Sequence, residues 1–191
     1  MKNKHLPIIL IFLFSSCDLV GDLLNTSYST TFKESFDIII PEGEYTEPSP
    51  FLINRQEDID LTDDSFPSEI RAGVSELLDI QFKEVLLTFS GELVTDGARI
   101  SQDAGIISGK ILFANPDKPS QTIEIIVPPV SSAEENAVSL PLPDNVANSI
   151  TQLFLENPRV TFSMDFKYVG PAPFEGKVDM EIPMEVSIGV I

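Results

Sequence analysis

The chain has 191 residues and is strongly acidic, with 12 Lys and Arg against 30 Asp and Glu and a formal net charge of −18. This charge excludes nucleic acid as a partner, because phosphate binding requires a basic surface. The length suffices for one domain with a sizeable hydrophobic core.

The N-terminal segment combines a basic start, a short apolar run and a cysteine. Lys2 and Lys4 precede the apolar run 6–14, which is too short to span a bilayer, since a transmembrane helix needs about 20 residues. Two serines then stand directly before Cys17, the only cysteine of the chain. This order is typical of an export signal, and it resembles the lipobox signal peptide of bacterial lipoproteins.

The resemblance implies cleavage after residue 16 and acylation of the Cys17 thiol, with palmitate as an expected acyl group. Each buried methylene contributes about 0.8 kcal/mol, so two or three acyl chains hold a protein durably on a membrane. Serines before the cysteine are frequent in lipoproteins of Bacteroidota type, and the chain is similar in general to small uncharacterised lipoproteins of those envelopes. The alternative is an ordinary signal peptide with a chance cysteine.

Loss of residues 1–16 would also remove Lys2, Lys4 and the only histidine, His5, and leave a net charge near −20. The mature chain would then have no Ser-His-Asp or Cys-His catalytic site and no zinc or haem site built on those ligands. The sequence contains no glycine-rich phosphate loop. We therefore expect no enzyme activity and no cofactor; two carboxylates acting as in a glycosidase are the remaining enzymatic alternative.

Strand patterns follow a short tether assigned to residues 17–27. Five apolar residues share one parity and hence one face of an extended chain: Tyr28, Phe32, Phe36, Ile38 and Ile40. The proline and glycine content of residues 41–50 predicts a loop. Within this loop, Tyr45 is the candidate exposed contact residue.

An acidic segment precedes the first predicted helix. Four oxygen-bearing residues fall at positions 1, 3, 5 and 12 of an EF-hand calcium loop: Asp58, Asp60, Thr62 and Glu69. Position 6 is Asp63 instead of glycine, and Pro67 interrupts the pattern. The segment therefore predicts an acidic loop that leads into a helix, and not a strong calcium site. Four side chains remain candidates for a weak cation site: Asp58, Asp60, Asp63 and Asp64.

The first helix is predicted to begin directly after its cap, Asp64 or Ser65, with Pro67 in its first turn. Its apolar stripe consists of Ile70, Val74, Leu77 and Leu78. A strand follows, with Val85, Leu87 and Phe89 on one face. Further strands are predicted at 107–113 and 122–127, with a turn at 115–117 between them.

A second helix is predicted after Pro143, with Asp144 as its cap and Asn157-Pro158 at its end. Its stripe consists of Val146, Ile150, Leu153 and Phe154. The next residues, 160–168, alternate between apolar and polar side chains, and residues 178–190 do so again. Because Pro183 has no N–H to donate to a neighbouring strand, the last strand is predicted to lie at a sheet edge or to bend there.

Alternation of this kind predicts a mainly-β fold, an antiparallel β-sandwich with one or two packed α-helices. The predicted organisation is a signal peptide (1–16), a lipidated N-terminus and tether (17–27), and one sandwich domain (28–191).

The predicted function is a lipid-anchored, extracytoplasmic, non-catalytic binding or structural module of the bacterial cell envelope. Its expected partners are the membrane, through acylated Cys17, and an unknown envelope protein or apolar ligand. The alternative is a carrier or sensor of an apolar ligand held between sheet and helices. The expected location is the periplasmic face of the outer membrane, because residues 18–22 do not match the acidic pattern of surface-exported lipoproteins; the cell surface is the alternative.

Overall fold

Antiparallel strands form most of the molecule, and the computed structural model describes residues 25–95, 98–100, 105–132 and 136–189. Eleven strands lie in these ranges: β1 (Asn25–Ile40), β2 (Glu44–Tyr45), β3 (Phe51–Asp60), β4 (Leu77–Phe82), β5 (Glu84–Thr95), β6 (Ala98–Ile100), β7 (Ile106–Asn115), β8 (Lys118–Ser131), β9 (Asn136–Pro141), β10 (Arg159–Pro171) and β11 (Phe174–Gly189). The helical segments there are α1 (Ser68–Gly73), a 3-10 turn (Val74–Glu76) and α2 (Asp144–Glu156).

Each of the two sheets is organised around one long central strand. In the β11 sheet, β1 pairs with one edge of β11, while β5 and then β4 pair with the other edge; β9 and β6 pair with the far side of β5. In the β10 sheet, β3 and β2 pair with one edge of β10, and β7 followed by β8 lies on the other. The two sheets form a mainly-β sandwich, which confirms the predicted fold class.

Aromatic side chains from the two sheets meet in the interior. Phe32 of β1 contacts Phe162 of β10 edge to face, with ring centroids 5.6 Å apart. Phe89 of β5 contacts Phe166 of β10 in the same way at 5.9 Å. Such pairs contribute about 0.5–1.5 kcal/mol beyond the area that they bury. The predicted inward faces of the strands at 85–89, 160–168 and 178–188 are buried in the structure, as their alternation indicated.

The second predicted helix is confirmed as α2. Its apolar face is buried, and Phe154 stacks on Phe82 of β4 with ring centroids 5.7 Å apart. The hydroxyl of Thr151 donates to the carbonyl of Ile80 in the same strand. The predicted cap was wrong: Pro143 is the N-cap, and Asp144 is the first helical residue, where negative charge is still favourable.

The first predicted helix is shorter than its apolar stripe indicated. Its N-cap is Pro67, so neither Asp64 nor Ser65 caps it, and it ends at Gly73. Leu77 and Leu78 belong to β4, which pairs with the end of β11. A Cβ on Gly73 would lie 2.4 Å from a methyl carbon of Ile188, so glycine permits the close approach of this turn to β11.

Two further expectations are corrected by the pairing of β1 and β11. Residues 25–27, assigned to the tether, are the first residues of β1 and pair with residues 187–189. Of the two alternatives for Pro183, the edge position is wrong, because β11 has neighbours on both sides. The pairing with β5 ends at Glu181 and that with β4 starts at Met184. Proline is tolerated there because β11 changes partners at that position.

Candidate functional site

The predicted lipidation residue, Cys17, lies outside the described residues, and its acylation stays a prediction. Seven residues separate it from Asn25, the first residue of β1. A fully extended chain covers at most about 3.3–3.6 Å per residue, so this linker reaches at most about 28 Å. Within the part of the chain that the structure describes, no helix has the length and hydropathy needed to cross a membrane.

The first carboxylate of the acidic segment, Asp58, is bound to the neighbouring strand. It accepts hydrogen bonds from Arg159 Nε at 2.9 Å and from Thr161 Oγ1 at 2.7 Å, both on β10. Partial burial raises the pKa of Asp58, but the bonds from Thr161 and Arg159 outweigh this and lower it overall. The same contact raises the pKa of Arg159. Asp58 therefore joins the edge strand β3 to β10.

The remaining carboxylates of the segment accept local hydrogen bonds. Asp60 Oδ1 accepts bonds from Thr62 N at 2.9 Å and Thr62 Oγ1 at 2.6 Å, which fixes the turn after β3. Asp63 accepts a bond from Ser65 N at 2.8 Å, and this bond lowers the pKa of Asp63. Asp64 forms an ion pair with Arg71 of α1. In the described ranges, no three acidic side chains converge as a metal site requires, so the structure does not bring the four cation candidates together.

Tyr45 lies in β2, which pairs with the end of β10. Its side chain is half-buried, and its ring meets Phe51 edge to face with centroids 5.4 Å apart. Its hydroxyl donates to the carbonyl of Pro41 at 3.3 Å. The ring thus packs against the molecule, and only part of it is open to a contact partner.

A groove that sequence reasoning missed crosses the outer face of the β11 sheet. It has a volume of 480 Å³. One wall is the cross-strand row of Asp37, Lys177 and Ser90, and the other is the row of Ile39, Glu175 and Glu92. Rows two residues apart on a strand are separated by roughly 6.6 Å, which sets the width of the groove.

Arg99 of β6 closes one end of the groove. Its guanidinium donates from Nη1 to Glu92 at 3.3 Å and from Nη2 to Glu175 at 3.0 Å. On the opposite wall, Lys177 pairs with Asp179 at 2.7 Å, and this hydrogen bond lowers the pKa of Asp179. The groove therefore offers hydrogen-bonding groups of both charges, which suit a polar ligand or protein surface.

Two glycines form the floor of the groove over one buried ring. A Cβ on Gly91 would lie 2.2 Å from the Cζ atom of Phe174, and one on Gly176 would lie 2.7 Å from the same ring. Phe174 is fully buried and stacks on Tyr168 at 5.1 Å. An isolated glycine inside a strand indicates close approach of another group. That signal was present at both positions, but it does not show that they are adjacent.

No protein-family model matches the sequence, and no curated protein matches it. Among solved structures, a decameric BFDV capsid protein is similar at 12% identity, with 84% of this chain and 99% of that one covered and a TM-score of 0.45. A structure of infectious bursal disease virus (Gx strain) is similar at 9% identity, with 87% and 37% covered and a TM-score of 0.35. A structure of carbohydrate-binding modules from the β-sandwich superfamily is similar at 13% identity, with 85% of this chain and 56% of that one covered and a TM-score of 0.32.

Proposed function

We propose that this protein is a lipid-anchored, extracytoplasmic module of a bacterial envelope that binds a partner without catalysis. The observation that carries the proposal is the position of Cys17 at the end of a basic and apolar export segment. Acylation of that cysteine would supply the anchor, because an acidic domain is not attracted to anionic lipid headgroups.

The groove lies far along β1 from the predicted anchor. Asn25 stands at the start of this strand, within about 28 Å of Cys17. The groove contains Ile38, thirteen residues further along β1, and therefore lies roughly 43 Å from Asn25. The linker after Cys17, with its reach of about 28 Å, cannot extend over the groove, so the groove stays open to a partner.

The alternative, a carrier of an apolar ligand, receives less support from the described interior. The space between the sheets is occupied by the Phe32–Phe162 and Phe89–Phe166 pairs. Three grooves on the outer face of the β11 sheet are lined largely by polar residues. A fourth groove, between β1 and β3, has mostly apolar lining residues, but its volume is only 180 Å³. A filled core favours the interaction module, which uses its surface.

The anchor is tested by replacing Cys17 with serine in the full chain. The wild-type protein is expected in the membrane fraction after washing with high salt, and Cys17→Ser in the soluble fraction. Asp22→Ser is the matched control, since it changes the linker but leaves the acylation residue, and it is expected to stay with the membrane. A Cys17→Ser protein that remains in the membrane fraction would contradict the proposal.

The membrane face needs a separate experiment, because acylation does not determine it. We propose the periplasmic face of the outer membrane. Protease added to intact cells is then expected to leave the domain uncut, and protease added after outer-membrane permeabilisation to degrade it. Degradation in intact cells would place the domain on the cell surface.

A further inference from the structure

The free edge of β1 is longer than the other described sheet edges, and it has fewer features that hinder pairing with a further strand. β1 has 16 residues, and among the described strands it pairs with β11 alone. It contains no proline and carries three charged residues, Lys33, Glu34 and Asp37. A long edge strand with few charges is open to pairing with a further strand.

The other described sheet edges carry features that hinder pairing with a further strand. β8 contains Pro119, Pro128 and Pro129, which cannot donate to a further strand. β3 carries four charged residues in its ten positions. The remaining edge strands are short: β2, β4, β6 and β9 have two, six, three and six residues, respectively. In the described chain, β1 is thus the edge best suited to accept a strand.

The sequence of β1 is self-complementary at most positions in one antiparallel register, in which Glu34 opposite Phe36 is the unmatched pair. If Ser35 lies opposite Ser35 of a second copy, Lys33 lies opposite Asp37, and Phe32 lies opposite Ile38. The two-fold axis repeats each of these pairs. Opposite charges and apolar residues directly across from each other both stabilise a sheet. Registers shifted by two residues in either direction break the Lys33–Asp37 pair.

The charges on β11 extend this complementarity. Lys33 already pairs with Glu181 at 2.6 Å, and Asp37 lies opposite Lys177 on β11. With Ser35 opposite Ser35, one row of side chains crosses four strands. It consists of Glu181 and Lys33 of one copy and Asp37 and Lys177 of the other, and its charges alternate in sign. Ile39, which is 72% exposed in the single chain, would lie opposite Thr31 of the second copy.

We infer that the free edge of β1 binds a second copy of this chain through antiparallel β1–β1 pairing centred on Ser35. The pairing joins the two β11 sheets into one continuous sheet. It places residues 30–40 of one copy against residues 40–30 of the other, and Pro41 ends it. The interface is isologous, so it closes as a dimer and does not propagate.

Cysteine cross-linking of the full acylated chain tests this register. In Ser35→Cys, the two cysteines would face each other at the two-fold axis, where Cα atoms of opposite residues lie about 4.5–5.5 Å apart. This is within the range that a disulfide spans. Mild oxidation in membranes is expected to convert most of the protein to a disulfide-linked dimer of twice the chain mass.

Ser29→Cys is the matched control, because Ser29 is exposed on the same face of the same strand. In the proposed register the two Ser29 positions lie roughly 40 Å apart along the strand axis, and no cross-link is expected. Wild type shows whether Cys17 cross-links by itself. Equal cross-linking of Ser29→Cys and Ser35→Cys, no dimer with Ser35→Cys, or an adduct of another mass would each overturn the inference.

Exchange of the charges at Lys33 and Asp37 tests the same pairing, because the double exchange should restore the cross-linking that each single change reduces. In the Ser35→Cys background, Lys33→Glu sets Glu against Asp37 of the second copy, and Asp37→Lys sets Lys against Lys33. Each change alone is expected to reduce the cross-linked fraction, and the double exchange to restore it. Thermal unfolding of each variant separates loss of pairing from loss of the fold. Single variants that fold and cross-link as well as their parent would overturn the proposed register.

Discussion

Removal of the Phe166 ring is expected to destabilise the domain strongly. Phe166 is 1% exposed and contacts Phe89 of the opposite sheet, so alanine would leave a cavity between the two sheets. Truncation of a buried phenylalanine costs about 3–5 kcal/mol, and the lost aromatic pair is part of that cost. For a domain with a free energy of unfolding of about 5–15 kcal/mol, this is a large fraction.

The measurement is urea unfolding of the purified chain, followed by circular dichroism. With a slope of about 1–3 kcal/mol per molar urea, the midpoint of Phe166→Ala is expected to fall by about 2 M at an unchanged slope. The melting temperature is expected to fall by roughly 10 °C, since 1 kcal/mol shifts a domain of this size by about 2–4 °C.

The control variant is Leu52→Ala on the neighbouring strand β3. Leu52 is 59% exposed, and its truncation is expected to change the free energy of unfolding by less than about 0.5 kcal/mol. A cost below about 1 kcal/mol for Phe166→Ala would refute the reasoning. It would show that the inner face of β10 is open and available to a ligand, which is what the carrier hypothesis requires.

Three further outcomes are expected. Millimolar calcium is expected to raise the melting temperature no more than magnesium does. If the chain had a tight site, calcium at 100 times its Kd would add about 2.7 kcal/mol to the free energy of unfolding. A calcium-selective rise that Asp60→Asn abolishes would make calcium-dependent binding the leading function. Because the folded pKa of Asp58 is below its unfolded value, its stabilisation is present above about pH 4 and is lost as the pH falls through the folded pKa. Asp58→Asn should therefore be less stable than wild type in urea titrations at pH 7 and equally stable near pH 2, and a pH-independent difference would exclude this carboxylate as the cause. Gly91→Ala should destabilise the domain by about 1–3 kcal/mol, because its methyl group would crowd the Phe174 ring. Gly189→Ala is the control and should be neutral, because the nearest atom to its new Cβ lies 3.6 Å away. Equal shifts in the melting temperature of the two variants would contradict the packing described for the groove floor.

The sequence correctly predicted the strands and helices that bury one face and expose the other, because their apolar residues recur at a regular spacing. The strand at 160–168 alternates because one face meets the other sheet, and the stripe of α2 repeats at helical spacing because one face covers β4. In both elements the positions of the apolar residues correspond to the buried face, and both elements were predicted correctly. The core phenylalanines Phe162 and Phe166 followed from the same alternation.

The prediction failed where one pattern fits two structures or where no pattern exists. Leu77 and Leu78 continue the helical stripe of α1 in spacing, but they also start the strand β4, and only its pairing with β11 decides between the two. β3 was missed because it is a charged edge strand with little alternation. The groove could not be predicted, because the adjacency of Gly91 and Gly176 depends on the register of β5 with β11.

The pairing of β1 with β11 also constrains the order in which the protein folds. β11 is the last described strand to be synthesised, and it is the strand that β1, β4 and part of β5 pair with. The register joins Asn25 to Gly189, so this sheet is complete only after synthesis has reached residue 189. Contacts of such long range are associated with slow folding. Slow closure would leave the nascent polypeptide unfolded long enough to be threaded through a translocation pore, as the proposed export route requires.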